Sequence, residues 1–170
     1  MKKVLAIFLA LIIGLSMSAQ IQNKFFGLTL GKTTKTTVYN YLKKNNIKFT
    51  TTEDGDYRAR KMKFAGEVWE NVWFSFYNGI FYSVYFQTSE DYKSIELMDV
   101  IHRKLDNSLK NKYAIYYDPY ESRSDKIVYS DNVTRVGLTY NYFEGVKHLG
   151  LMYHDLDLFY KQWESDADEL

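Results

Sequence analysis

His148 and His154 are the first residues here that could do chemistry, since a neutral imidazole is the commonest metal ligand. Strand alternation puts both on one face, but six residues of strand span ~20 Å, too far to share one ion. Asp155 and Asp157 neighbour only His154. No metal site and no cofactor is expected. Asp54-x-Asp56 opens like a calcium loop but lacks the later ligands, so it reads as a polar turn. His102, between Ile101 and Arg103, reads as a helix-surface residue. Glu67, Glu70 and Glu144 are the carboxylates nearest the candidate hairpins, and a pair of such groups could cleave a glycosidic bond. The pattern buries none of them, so no catalytic residue is assigned. Nucleophile elbow, phosphate loop, dinucleotide fingerprint and His-Glu-x-x-His are all missing. The chain has no cysteine, which excludes disulfides, thiolate zinc sites and a thiol nucleophile.

Contact chemistry is far better represented. Val68 to Gln87 reads VWENVWFSFYNGIFYSVYFQ, two strands joined by Asn78-Gly79. Asn and Gly both tolerate the positive φ that a two-residue type I′ turn requires. A regular ladder from that turn places Tyr77 opposite Ile80, Phe76 opposite Phe81, Phe74 opposite Ser83 and Val72 opposite Tyr85. Val72, Phe74, Phe76, Phe81 and Tyr85 then share one face, and Trp73, Tyr77, Ile80, Tyr82, Val84 and Phe86 share the other. Both faces are apolar and aromatic. One is the core, and the other needs a cover: a helix, a partner or a ligand.

A second hairpin turns at Glu144-Gly145. It pairs Tyr142 with Lys147, Tyr140 with Leu149, Leu138 with Leu151 and Val136 with Tyr153 on its core face. Arg135, Gly137, Thr139, Asn141, His148, Gly150, Met152 and His154 lie opposite, where the glycines leave room. Together the hairpins give an outer sheet face with an aromatic half and a shallow polar half. The candidate binding residues are Trp73, Tyr77, Tyr82, Phe86, Asn141 and His148. A tail helix carrying Phe159 and Trp163 is the competing cover for the aromatic half.

The elements that position these residues follow in order. Met1 to Ala19 has a Lys-Lys start, an apolar run from Val4 to Leu15 and a small-residue end, the plan of a secretory signal peptide. The run is short of the ~20 residues of a membrane span. Residues 20–170 then form one domain in the periplasm or outside the cell, with no stable membrane anchor. Thr34 to Asn45 reads as a helix with Val38, Tyr41 and Leu42 inward. Strands follow at 47–52 and 57–64, before the aromatic hairpin. A second helix starts at Thr88 or Ser89 and carries a stripe of Ile95, Met98, Ile101, Leu105 and Leu109. Residues 113–117 and 126–130 read as strands before the second hairpin, and 156–170 as a helical tail. Lys32, Lys35, Lys43, Lys44, Lys48, Arg58, Arg60, Lys61 and Lys63 make the N-terminal half basic. The whole chain carries a formal charge of only +1, so the run reads as a solvated face and no nucleic-acid partner is expected.

The fold class is therefore α+β: an antiparallel meander sheet with helices packed on one face. Residues 33–87 and 90–154 read as a duplicated helix-plus-four-strand unit. Gly31-Lys32-Thr33, with Val38 and Leu42 and the meander behind them, resembles the β-lactamase-inhibitor-protein-like fold shared by outer-membrane assembly lipoproteins of the SmpA/OmlA type. Phe26-Gly27-Leu28-Thr29-Leu30 resembles the lead-in of small secreted proteins of Bacteroides-type bacteria. The lipid-anchor cysteine of the lipoproteins is missing, and the resemblance implies no site residues. The expected function is a non-enzymatic binding or interaction module for a protein or envelope ligand. The alternative is an envelope hydrolase or glycan-processing enzyme built on acidic residues.

Overall fold

In the structure, a computed structural model, residues 20–168 are described. The expected signal segment, residues 1–19, lies outside the described residues. The chain docks at once: Ile21 is buried and its N–H donates to Asp131 Oδ2 at 2.8 Å. A small hairpin of β1 (Lys24–Phe25) and β2 (Leu28–Thr29) turns at Phe26-Gly27. The first helix, α1 (Lys35–Lys44), begins at Thr34, whose hydroxyl accepts from Thr37 N. It ends with Asn46 in the left-handed region (φ 53°) and Ile47 N donating back to Leu42 O at 3.0 Å.

Strands β3 (Phe49–Thr51), β4 (Tyr57–Phe64), β5 (Glu67–Tyr77) and β6 (Ile80–Ser89) follow as a meander. Then come α2 (Ile95–Tyr113), a 3-10 turn at Ala114–Tyr116, β7 (Lys126–Ser130), β8 (Thr134–Phe143), β9 (Val146–Asp155) and α3 (Leu156–Asp168). The sheet has seven antiparallel strands in the order β3-β4-β5-β6-β9-β8-β7. The last strand of each half, β6 and β9, meet at its centre.

One side of the sheet is the core. Phe74, Phe81, Val84 and Phe86 from the first half and Val136, Leu138, Leu149 and Leu151 from the second lie there under Val38 and Leu42 of α1 and Met98, Ile101, Leu105 and Leu109 of α2; Ile95, expected to open that stripe, is instead exposed in the first turn. Burying each such side chain stabilises the fold by roughly 1.5–3 kcal/mol. The helices do not all pack on one face as expected: α1 and α2 lie there, but the third packs on the opposite side, through Phe159 against His154 at 4.6 Å between ring centroids.

Three further expectations are corrected. The second helix does not start at Thr88 or Ser89, because β6 runs on to Ser89 and both residues are buried in the sheet. Ser94 caps it instead, accepting from Leu97 N at 3.3 Å. Residues 113–117 are not a strand. Tyr113 continues the buried i, i+4 spacing from Leu105 and Leu109, so the helix holds to that point and a 3-10 turn closes it. The second unit is therefore a helix with three strands, not four. The third correction is the register of the aromatic hairpin.

That register holds only near the turn. Tyr77 pairs with Ile80 and Phe76 with Phe81, but a β-bulge between Ser75 and Phe76 leaves Tyr82 extra. Beyond it Phe74 pairs with Val84, Trp73 with Tyr85 and Val72 with Phe86. A one-residue slip exchanges the faces of everything downstream. Val84 and Phe86 move into the core, fully buried, and Tyr85 moves out. The second hairpin has the register expected of it throughout.

Candidate functional site

The ladders align outer-face residues into rows across the sheet. One row runs Arg58, Trp73, Tyr85, Met152, Gly137. The next runs Arg60, Asn71, Gln87, Gly150, Thr139. At the centre Trp73 and Tyr85 stack, with ring centroids 5.4 Å apart and planes inclined by 26°. The Arg58 guanidinium lies 5.3 Å from the Trp73 ring and donates through Nε to Asn71 Oδ1 at 2.9 Å. The far end of Tyr85 is held too. Burial pushes its phenol up, against hydrogen bonds to Thr139 and Gln87. Gln87 Nε2 in turn lies 3.2 Å from His148 Nδ1.

Gly150 is what lets the tyrosine lie flat. A Cβ there would stand 2.5 Å from Thr139 Oγ1 and 2.6 Å from the Tyr85 hydroxyl. The room expected at this glycine is thus occupied by Tyr85, whereas Gly137 has open space above it. Both stacked rings are partly exposed, fixed by neighbours on two sides, and flanked by amide, hydroxyl and imidazole groups. Such a surface has the chemistry for ring stacking, with polar groups placed to orient what stacks.

The six expected residues fall in different places. Trp73 is at the centre. Asn141 and His148 pair across β8 and β9 at the polar edge, Asn141 exposed and His148 half-buried. Tyr77 closes the hairpin next to its turn. Tyr82, the bulged residue, lies against His154 at 6.4 Å, and burial, with Asp56 and Asp166 adding, pushes its phenol up to about 12. It belongs to the zone where α3 docks. Phe86 is on the other side of the sheet, in the core, and leaves the set because the bulge reverses its face. Tyr85, Arg58, Asn71, Gln87 and Thr139 join it. The available signal was the pairing of like with like: the shifted register matches Phe74 with Val84 and Ser75 with Ser83, where the regular one would set Ser83 against Phe74 in the core.

The tail covers less than expected. Phe159 packs on His154, and the Arg135 guanidinium lies 5.6 Å from its ring, but Trp163 is 66% exposed. Among the described residues, no ring of α3 stacks on Trp73 or Tyr85. His102 is not a simple surface residue. Its ring stacks on Tyr140 at 5.0 Å, and burial pulls its pKa down. The carboxylates behind the hydrolase alternative are dispersed in separate contacts. Glu67 pairs with Lys104 at 3.0 Å, Glu70 accepts from Ser89 Oγ at 3.0 Å, and Glu144 is in a turn with φ 52°. Among the described residues, no three His, Asp or Glu side chains are grouped to hold a metal ion.

Comparison with protein-family models, curated proteins and solved structures found no match to this chain. Among the described residues, no helix is long and apolar enough to cross a membrane.

Proposed function

We propose that this protein is a secreted or periplasmic, non-enzymatic binding module whose contact surface is the outer sheet face centred on Trp73 and Tyr85. The observation that carries the reading is the stacked, partly exposed Trp73–Tyr85 pair, held in place by Arg58 on one side and by Thr139 and Gln87 on the other. Rings fixed before binding lose little side-chain entropy on contact, which is why aromatic anchors dominate recognition surfaces. Gln87, Asn141 and His148 supply directional polar contacts around them, while buried Asn71 holds the Arg58 guanidinium. The partner is a protein or envelope ligand that presents a flat apolar surface with hydrogen-bonding groups at its margin. The low net charge makes nucleic acid a poor candidate.

The test compares capture from cell-envelope extract by the native protein and by a Trp73→Thr/Tyr85→Thr variant. Threonine keeps strand propensity while removing both rings. The expected result is a cooperative melt close to that of the native protein and loss of the captured component. Capture unchanged by the double substitution would overturn the reading. Unfolding of the variant would show that these rings form a second core.

A further inference from the structure

A second feature lies at the edge of the sheet. Strand β3 pairs with β4 only from Tyr57 to Ala59, so β4 runs on past Arg60 without a neighbour on that side. The gap left there is a cleft of 620 Å³ between β4, the end of α1 and the β1–β2 turn. Its floor is Phe26, Tyr41 and Ile47, with the two rings stacked at 6.0 Å and 25°. Its rim is Lys48, Arg60, Lys61 and Lys63. All four cations are exposed, none has an acidic partner among the described residues, and no carboxylate lines the cleft.

The backbone at this rim is unusual. Phe26, Ala65, Asn78 and Glu144 have positive φ just before a glycine in a tight turn, and Asn46 has it at a helix end. Lys61, at φ 57°, does so inside a strand. There the buried side of the sheet changes over. Tyr57 and Ala59 point inward before it and Met62 after it, while Val72 and Trp69 show the same change on β5. Consecutive Arg60 and Lys61 are both left exposed at the cleft. Non-glycine residues held at positive φ persist where the surroundings enforce them, and they gather at ligand sites.

We infer that this cleft is a binding site for a small molecule carrying a phosphate or sulfate ester on a planar apolar body. Cations of one sign around a concave wall concentrate anions, and their N–H groups form charge-assisted hydrogen bonds to oxyanions. The stacked rings below accept the apolar part. The volume suits one small molecule, since such pockets measure about 300–1,000 Å³. Edge lysines also discourage strands from pairing, but that role requires neither the cleft nor its aromatic floor.

Phenyl phosphate and phenyl sulfate are the probes, titrated calorimetrically beside inorganic phosphate, inorganic sulfate and phenol. At least one ester should bind roughly tenfold more tightly than its inorganic anion or phenol, and the better of the two identifies the natural head group. Arg60→Gln and Lys48→Gln should each weaken it several-fold, whereas Lys110→Gln, outside the cleft, should not. Added salt should weaken binding as well. Esters that bind no better than the inorganic anions, or binding indifferent to Arg60→Gln and Lys48→Gln in variants that melt like the native protein, would overturn the inference. An acidic peptide that protects the β4 backbone amides from exchange and displaces the ester would overturn it too, and would make this a strand-pairing edge.

Discussion

The ring of Phe159 lies 4.6 Å from that of His154, centroid to centroid, and this contact seats α3 on the outer face of the sheet. Tyr82 also lies beside the imidazole, at 6.4 Å, and His154 is 7% exposed. Burial, reinforced by Arg135 and Lys126, pushes the imidazole from 6.5 down to about 3. An element that could have been a loose tail is thereby tied to the protonation state of one side chain.

Stability should fall as the pH drops through the histidine range. The unfolded chain takes up a proton at His154 near pH 6.5, and the folded chain does not until about 3. The contribution is full above 6.5 and is lost progressively from there down to about 3, because the unfolded state binds more protons in that window. By pH 5 the loss should be about 2 kcal/mol. Urea melts between pH 7 and 5 check this, and His154→Phe should flatten the slope by that amount.

Gly150→Ala should disturb the binding surface from beneath. Its new methyl would meet Thr139 Oγ1 and the Tyr85 ring, which have to move. Overpacking of this kind costs about 1–3 kcal/mol. The variant should melt earlier, and the near-ultraviolet dichroism of the Trp73–Tyr85 pair should change. Gly137→Ala, with open space above it, is the matched control and should leave the spectrum alone.

Phe74→Ala and Leu138→Ala should each destabilise by about 2–5 kcal/mol, as truncation of fully buried side chains does. Phe86→Ala should fall in the same range, because the bulge at Tyr82 turns Phe86 inward. Denaturant melts of the three variants check the register: a loss below about 1 kcal/mol for Phe86→Ala would mean that it faces outward.

Protein recovered from the envelope should begin at Gln20 or Ala19, a position that intact-mass measurement reads directly. Ile21 is already in the core and bonded to Asp131, so cleavage before Gln20 would leave the fold whole. A mass that retains residues 1–19 would remove the secreted reading.

Local chemistry in the sequence determined most of this architecture. Asn78-Gly79 and Glu144-Gly145 dictate two-residue turns, and Leu138 opposite Leu151 follows by counting from the second. The α+β class, the helix from Thr34 and the buried stripe of α2 follow from periodicity, which records the burial of one face. The tertiary structure decided what counting could not reach. A β-bulge inserts one residue that counting from the turn does not register and only the cross-strand match of Phe74 with Val84 and Ser75 with Ser83 hints at, and a period of two turns that insertion into an exchange of faces. So Tyr85 rather than Phe86 stands beside Trp73. The end of α2 at Tyr113, the placing of α3 by Phe159 and the cleft beside β4 depend on contacts between residues far apart in the chain. Those contacts arise only when β6 and β9 pair and bring the two halves together.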